Sequence, residues 1–132
     1  MEILIVDDSK MLRYMTKDAL RSLGYEQTHE ASDVAEARAI LQKIQIDLVI
    51  SDFHMPRESG LDLLKWIRST PACEKTPVIM LTTEGDKKTI ISIVQAGAQA
   101  YLLKPLQTPL LGQKLMDLSK KYGFQTPAGV AP

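Results

Sequence analysis

A doubly wound α/β domain, five parallel strands with helices on both faces, is the fold class the sequence predicts. Three observations lead there. Short apolar runs alternate with amphipathic helical patterns along the chain. The strongest runs are apolar throughout instead of alternating, as suits strands covered on both sides. The chain has 132 residues, 45% of them hydrophobic, which suits one domain built on one such sheet.

"EILIVDD" opens with the run Ile3 to Val6 and supplies the first strand. Leu12, Met15, Ala19 and Leu23 then recur at three- and four-residue steps, and Gly24 is a natural helix stop. "YEQTHEA", residues 25–31, is the more polar strand and so the one expected at an edge; His29 falls on its surface. Ser32 is the expected cap of a second helix over "DVAEARAIL". "DLVISD", residues 47–52, is the third strand. Leu61, Leu64 and Ile67 mark a third helix after Gly60, ending before "STPACEKTP". "PVIMLTT", residues 77–83, leads to a fourth helix from Lys87 to Ala96, closed by Gly97. "AYLLKP", residues 100–105, is the fifth strand. Thr108 as cap and Pro109 in the first turn open the last helix, with Leu111, Leu115 and Leu118 inward. The domain is expected over 1–122, with 123–132 as a flexible tail.

Right-handed crossovers limit how such units connect. A polar second strand beside apolar first, third and fourth strands favours the order 2-1-3-4-5. Lys plus Arg equals Asp plus Glu at 16 each, so bulk charge points to neither nucleic acid nor an anionic membrane. Cys73 is the single cysteine, which excludes an internal disulfide and a cysteine-rich zinc site. No apolar stretch approaches a spanning helix, and no leader is expected ahead of Glu2, so the expected location is the cytoplasm.

"SDFHMPRESG", residues 51–60, carries a carboxylate out of an apolar strand straight into a turn. Asp52 is a helix cap, a metal ligand, a nucleophile or a solvated loop residue. The fold narrows the choice, because ligands of such sheets sit beyond the carboxyl ends of the strands. Asp7 and Asp8, Asp52, Thr82 with Thr83, and Lys104 all fall at that rim. Three acids so close repel unless a cation intervenes, and a hard divalent ion with oxygen ligands, Mg²⁺ with Mn²⁺ as the substitute, meets the demand. Glycine-rich nucleotide loops and a nucleophile elbow are absent, and His29 and His54 lack the spacing of a triad or zinc site. Carboxylate chemistry on phosphate remains: Asp52 attacking phosphorus, Mg²⁺ and Lys104 neutralising the oxygens, and Thr82 donating a hydrogen bond.

"VDDSKMLR", "DFHMPRESGLDLLKWIR", "VIMLTTEG" and "AGAQAYLLKP", at these spacings, resemble the receiver domain of two-component response regulators over roughly residues 2–121. Single-domain chemotaxis regulators are the nearest likeness. The resemblance implies a flavodoxin-like (βα)5 three-layer sandwich, and 2-1-3-4-5 is the strand order known for that family, so resemblance and topology are not independent. It further implies Asp52 as phosphoacceptor, Asp8 as a direct Mg²⁺ ligand and Asp7 acting through water. The backbone carbonyl of His54 would be the third protein ligand. Thr82 would follow the phosphoryl group on activation, Lys104 would stand beside a Pro105 that can follow a cis peptide, and Tyr101 would be the switching aromatic. His54 and Glu84 would flank the path of the hydrolytic water and modulate the lifetime of the phosphoryl group.

Helix four holds surplus apolar residues. Ile91 and Val94 are read as its inner stripe, leaving Ile90 and Ile93 roughly a hundred degrees away to join Tyr101 in a partner face. The implied function is a phosphoryl-accepting switch loaded by a sensor histidine kinase or phosphotransfer domain. Its helix 4–strand 5–helix 5 face would change affinity for a downstream protein, such as a flagellar motor component. No nucleic acid and no membrane insertion are implied, and the chain would be a monomer or a weak phosphorylation-dependent dimer. Its catalysis would be confined to its own phosphorylation and dephosphorylation. The alternatives are a phosphorelay intermediate or a receiver cut from a larger regulator, and, in a different class, an aspartyl-phosphate phosphatase.

Overall fold

In the computed structural model, which describes residues 1–124 and residue 127, strands and helices alternate from end to end. The strands are β1 (Ile3–Val6), β2 (Thr28–Ala31), β3 (Leu48–Asp52), β4 (Val78–Thr82) and β5 (Ala100–Leu103). Between and after them run α1 (Lys10–Ser22), α2 (Val34–Lys43), α3 (Gly60–Ser69), α4 (Lys87–Gln95) and α5 (Thr108–Tyr122). All pairings are parallel, in the order β2-β1-β3-β4-β5. The doubly wound (βα)5 sandwich expected from the sequence is therefore the fold.

Strand alternation divides the interior into two layers. Ile3, Ile5, Leu48, Ile50, Ile79, Leu81 and Leu102 face α1 and α5, meeting Ala19, Leu20, Leu111, Leu115 and Leu118. Leu4, Val6, Val49, Val78 and Met80 face the other way, onto Val34, Ala37, Leu41, Leu63, Leu64, Ile67 and Ile93. Both faces of the central strands are buried, which is why β1 is apolar at every position and β3 and β4 turn polar only at their C-terminal ends, at Ser51, Asp52 and Thr82.

Several local expectations are corrected. Asp33, not Ser32, caps α2: its Oδ1 accepts the Glu36 amide at 2.8 Å, while Ser32 turns its own donors onto the Glu36 carboxylate. Thr108 is already inside α5, whose cap residue is Gln107. On α1, Met15 is exposed and Thr16, Ala19 and Leu20 form the buried strip. Leu63, not Leu61, carries the inner face of α3 with Leu64 and Ile67. β2 begins only at Thr28, and Tyr25 is instead buried in the preceding turn. Of the expected tail, Phe124 stacks on Tyr122 with ring centroids 6.0 Å apart, while residues 125, 126 and 128–132 lie outside the described residues.

The largest correction concerns α4. Ile93 is 0% exposed in the α2–α3 layer, whereas Ile91 is 42% and Val94 57% exposed. The inner side of the helix runs through Ile93 and Ala96 and continues into Ala98, which packs on the same core past Gly97. Ile93 is thus removed from the proposed partner face. Ile93→Ala is expected to cost about 2–4 kcal/mol in urea unfolding. Val94→Ala should stay within about 0.5 kcal/mol of the parent.

Candidate functional site

β1 runs directly into two acids, Asp7 and Asp8, at the carboxyl edge of the sheet. The Asp7 amide extends the sheet by donating to the Ala31 carbonyl at 3.1 Å, and its Oδ1 accepts the Ser9 amide at 2.9 Å. Ser9 then caps α1, its Oγ accepting the Leu12 amide at 3.2 Å. Asp8 is therefore not needed as a cap. Asp7 is 2% exposed, and Asp8 stands open to solvent.

Asp52 closes β3 and is 7% exposed. It is no cap either: Ser59 caps α3 in a reciprocal pair with Asp62. Thr82 ends β4 fully buried, its Oγ1 accepting the Glu84 amide at 3.0 Å. The Lys104 amide donates to the Thr82 carbonyl at 2.8 Å, which carries the lysine to the same rim ahead of a cis peptide to Pro105. Its Nζ lies 2.9 Å from Asp52 Oδ1 and 3.4 Å from Asp7 Oδ2.

The carboxylate oxygens of Asp7, Asp8 and Asp52 lie within 4.8 Å of one another. Two unit charges about 4 Å apart repel by roughly 4 kcal/mol at an effective dielectric near 20. Three carboxylates against the one Lys104 ammonium leave a formal charge of −2 at the rim. Burial raises the Asp7 carboxyl above the ordinary aspartate range, against the opposing pull of the Ser9 amide and Lys104. Oxygen-only donors, an uncompensated double charge and one open side are what a hard divalent cation requires, so the residues present fit such an ion.

The surrounding loops are tied across the rim. His54 Nε2 meets Glu84 Oε1, joining the loop after β3 to the loop after β4, and Thr89 Oγ1 donates to Glu84 Oε2 at 3.1 Å. Arg57, at a positive φ of 70°, pairs with Asp33 at 3.2 Å, and Arg38 pairs with Glu58 at 2.6 Å while lying over the Trp66 ring. Tyr101, in β5, is half-buried against the α2–α3–α4 layer, and Ile90, in α4, is half-buried. The rim thus gathers Asp7, Asp8, Asp52, Thr82 and Lys104, with His54 and Glu84 as a bridge. Tyr101 and Ile90 lie apart from it.

Two contacts escaped the sequence reading, which took Gly60 only as a turn residue and gave Arg13 no role. Gly60 packs on the Asp52 carbonyl so closely that a Cβ there would lie 2.1 Å from that oxygen. Arg13 donates from Nη1 to the Asp7 carbonyl at 2.7 Å. Its only signal in sequence is its place at the end of "VDDSKMLR", one helical turn past the acids.

Comparison with known proteins agrees with this geometry. The family model described as the response regulator receiver domain matches residues 3–116. Chemotaxis protein CheY-3 of Vibrio cholerae serotype O1 is 42% identical over 115 residues, 87% of this chain and 88% of that protein. The CheY homolog of Campylobacter jejuni subsp. jejuni is 38% identical over 119 residues, covering 89% and 92% of the two chains. Among solved structures, chemotaxis response regulator CheY4 of Vibrio cholerae superposes with a TM-score of 0.81 at 35% identity, over 89% of this chain and 97% of that one. The signal receiver domain of a signal transduction histidine kinase from Syntrophus aciditrophicus gives 0.83 at 30% identity, over 99% and 98%. The Asp7–Asp8–Asp52 cluster has the make-up of a phosphorylation site of this kind, and its catalysis is of the non-classical, self-directed sort. The chain belongs to the receiver domain family of two-component response regulators.

Proposed function

We propose that the chain is a phosphoryl-accepting signalling switch in which Asp52 takes a phosphoryl group from a phosphohistidine of a sensor kinase or phosphotransfer domain. One observation carries the reading: a buried aspartate 2.9 Å from a lysine ammonium, within a three-carboxylate cluster that leaves a −2 charge for a divalent ion. Asp52 attacks phosphorus, an O–P bond forms, and the N–P bond to the donor imidazole breaks. Lys104 begins on Asp52 Oδ1 and transfers its contact to an oxygen of the arriving group. Asp7, Asp8, Asp52 and the His54 carbonyl would hold Mg²⁺, with Mn²⁺ as the substitute, and the ion would supply the charge that neutralises the equatorial oxygens.

Thr82 gives up the Glu84 amide to donate its hydroxyl to the phosphoryl group. Tyr101 turns into the space behind it, altering the face of α4, β5 and α5 for a downstream protein target. His54 and Glu84, bridged across the rim, govern how readily water reaches the acyl phosphate. Ile90 with Tyr101 remains in the partner face, joined by the exposed Ile91 and Val94 in place of Ile93. The domain spans 1–122, works in the cytoplasm and has its target in chemotaxis or motility, as the names of its relatives suggest. Among the described residues no helix is long and apolar enough to cross a membrane. A phosphorelay step or a receiver within a larger regulator is the second reading, favoured by the likeness to a histidine kinase's receiver domain.

The test is chemical. With Mg²⁺ and a small acyl-phosphate donor, the protein should gain one phosphoryl group, labile to hydroxylamine and dependent on the metal. Asp52→Asn should lose it, and Cys73→Ser should keep it. Stoichiometric labelling of Asp52→Asn would place the acceptor elsewhere.

A further inference from the structure

We propose that Arg13 is a positioning residue for the divalent-cation site, acting by holding the peptide between Asp7 and Asp8; the proposal rests on the metal reading above. Its Nη1 donates to the Asp7 carbonyl at 2.7 Å, and its Nε donates to Glu30 Oε1 at 3.2 Å. The guanidinium is steadied from the far side by the end of β2, and only 14% of the side chain is exposed. Glu30 is held in turn by Lys17 at 3.7 Å.

The carbonyl of Asp7 belongs to the peptide plane that joins the two acids. A peptide is planar, so holding its oxygen restrains the whole plane and the Cα positions of both acids, leaving only ψ of Asp7 and φ of Asp8 to aim the side chains. The turn contains no proline to stiffen it, and the three carboxylates within 4.8 Å push Asp8 outward whenever no cation is bound. A charge-assisted bond from a forked, well-anchored donor opposes that swing. The acids are then presented to an ion already close to their bound geometry.

A purely electrostatic role predicts the opposite sign. Removing a cation near a metal site makes it more negative and should tighten metal binding. Removing a positioning bond should weaken binding, and partners one shell out from a metal commonly contribute 10–100-fold to affinity. The sign of the change therefore separates the two roles.

The experiment titrates MgCl₂ into the metal-free protein, following backbone amide shifts of Asp8 and Asp52, with urea unfolding run in parallel. Arg13→Met, which keeps the apolar stem, should weaken Mg²⁺ binding about tenfold. Arg13→Lys keeps the charge but loses the fork, and should fall between Met and the parent. Affinity unchanged or tighter in Arg13→Met overturns the proposal, even if stability has fallen, because a merely structural arginine alters stability alone. If Arg13→Met does not fold, a parent-like affinity in Arg13→Lys overturns it equally. Asp8→Asn serves as control: if that variant binds like the parent, the metal reading itself fails, not the role of Arg13.

Discussion

Replacing Gly60 with alanine is expected to cost about 3 kcal/mol or more of stability. In whatever remains folded, phosphorylation should slow by roughly a hundredfold. Gly60 is not among the glycines at positive φ, so the backbone does not demand glycine for its dihedrals. Space does. An added Cβ would lie 2.1 Å from the Asp52 carbonyl oxygen, 3.0 Å from its carbon and 2.9 Å from Met80 Sδ. The sulfur can swing aside. The carbonyl is held by the Ser51 hydroxyl at 3.0 Å, and Gly60 itself donates to the Phe53 carbonyl at 2.9 Å. Either the end of β3 moves, taking the nucleophile with it, or α3 lifts and loosens Leu63, Leu64 and Ile67. Urea unfolding and phosphorylation rates at saturating Mg²⁺ check both limbs. A stable, fully reactive Gly60→Ala would mean that α3 shifts freely and does not seat Asp52.

Gly60 also marks where reading the sequence stops. Its identity is visible, and a tight turn is the natural reading. Contact with a carbonyl eight residues earlier depends on how α3 crosses the end of β3, which no local pattern encodes. Arg13 is similar, since its acceptor is a backbone oxygen that has no residue type to reveal it. Strand order was legible because burial on two faces leaves a compositional trace: Ile3 to Val6 are apolar at every position, and "THEA" in β2 is not. The rim residues were legible because parallel strands deliver whatever follows them to one edge.

Helix faces were less so. "TIISIV" fits two stripes, and the deciding contacts came from Ala96 and Ala98 beyond the helix, where small side chains give little signal. Caps failed by one residue for a comparable reason. Ser32 and Asp33 are both good caps, and the Glu36 carboxylate, by taking Ser32, left the role to Asp33.

Lys104→Met is expected to cost about 3 kcal/mol in the metal-free protein, because it leaves two buried carboxylates without their shared cation. Lys104 Nζ lies 2.9 Å from Asp52 and 3.4 Å from Asp7, so no other described ion pair relieves these two acids. The loss should depend on pH in one direction. Burial already raises the Asp7 carboxyl, and removing the downward pull of Lys104 raises it further. A carboxyl raised above its unfolded value contributes stability that is complete below the unfolded value, near pH ~3.9, and is lost as pH rises through the folded one. The variant should therefore recover part of its deficit as the solution is acidified from neutrality. Mg²⁺ should act in the same sense: at tenfold excess over its dissociation constant, a ligand of the folded state adds about 1.4 kcal/mol. Asp7→Asn in the same background should also restore stability, by deleting one of the two stranded charges, and at the same time weaken the response to Mg²⁺. Urea midpoints across pH, with and without MgCl₂, separate these contributions. If the Lys104→Met deficit were the same at every pH and every Mg²⁺ concentration, its origin would be lost packing of the lysine stem and not the charge it holds between Asp7 and Asp52.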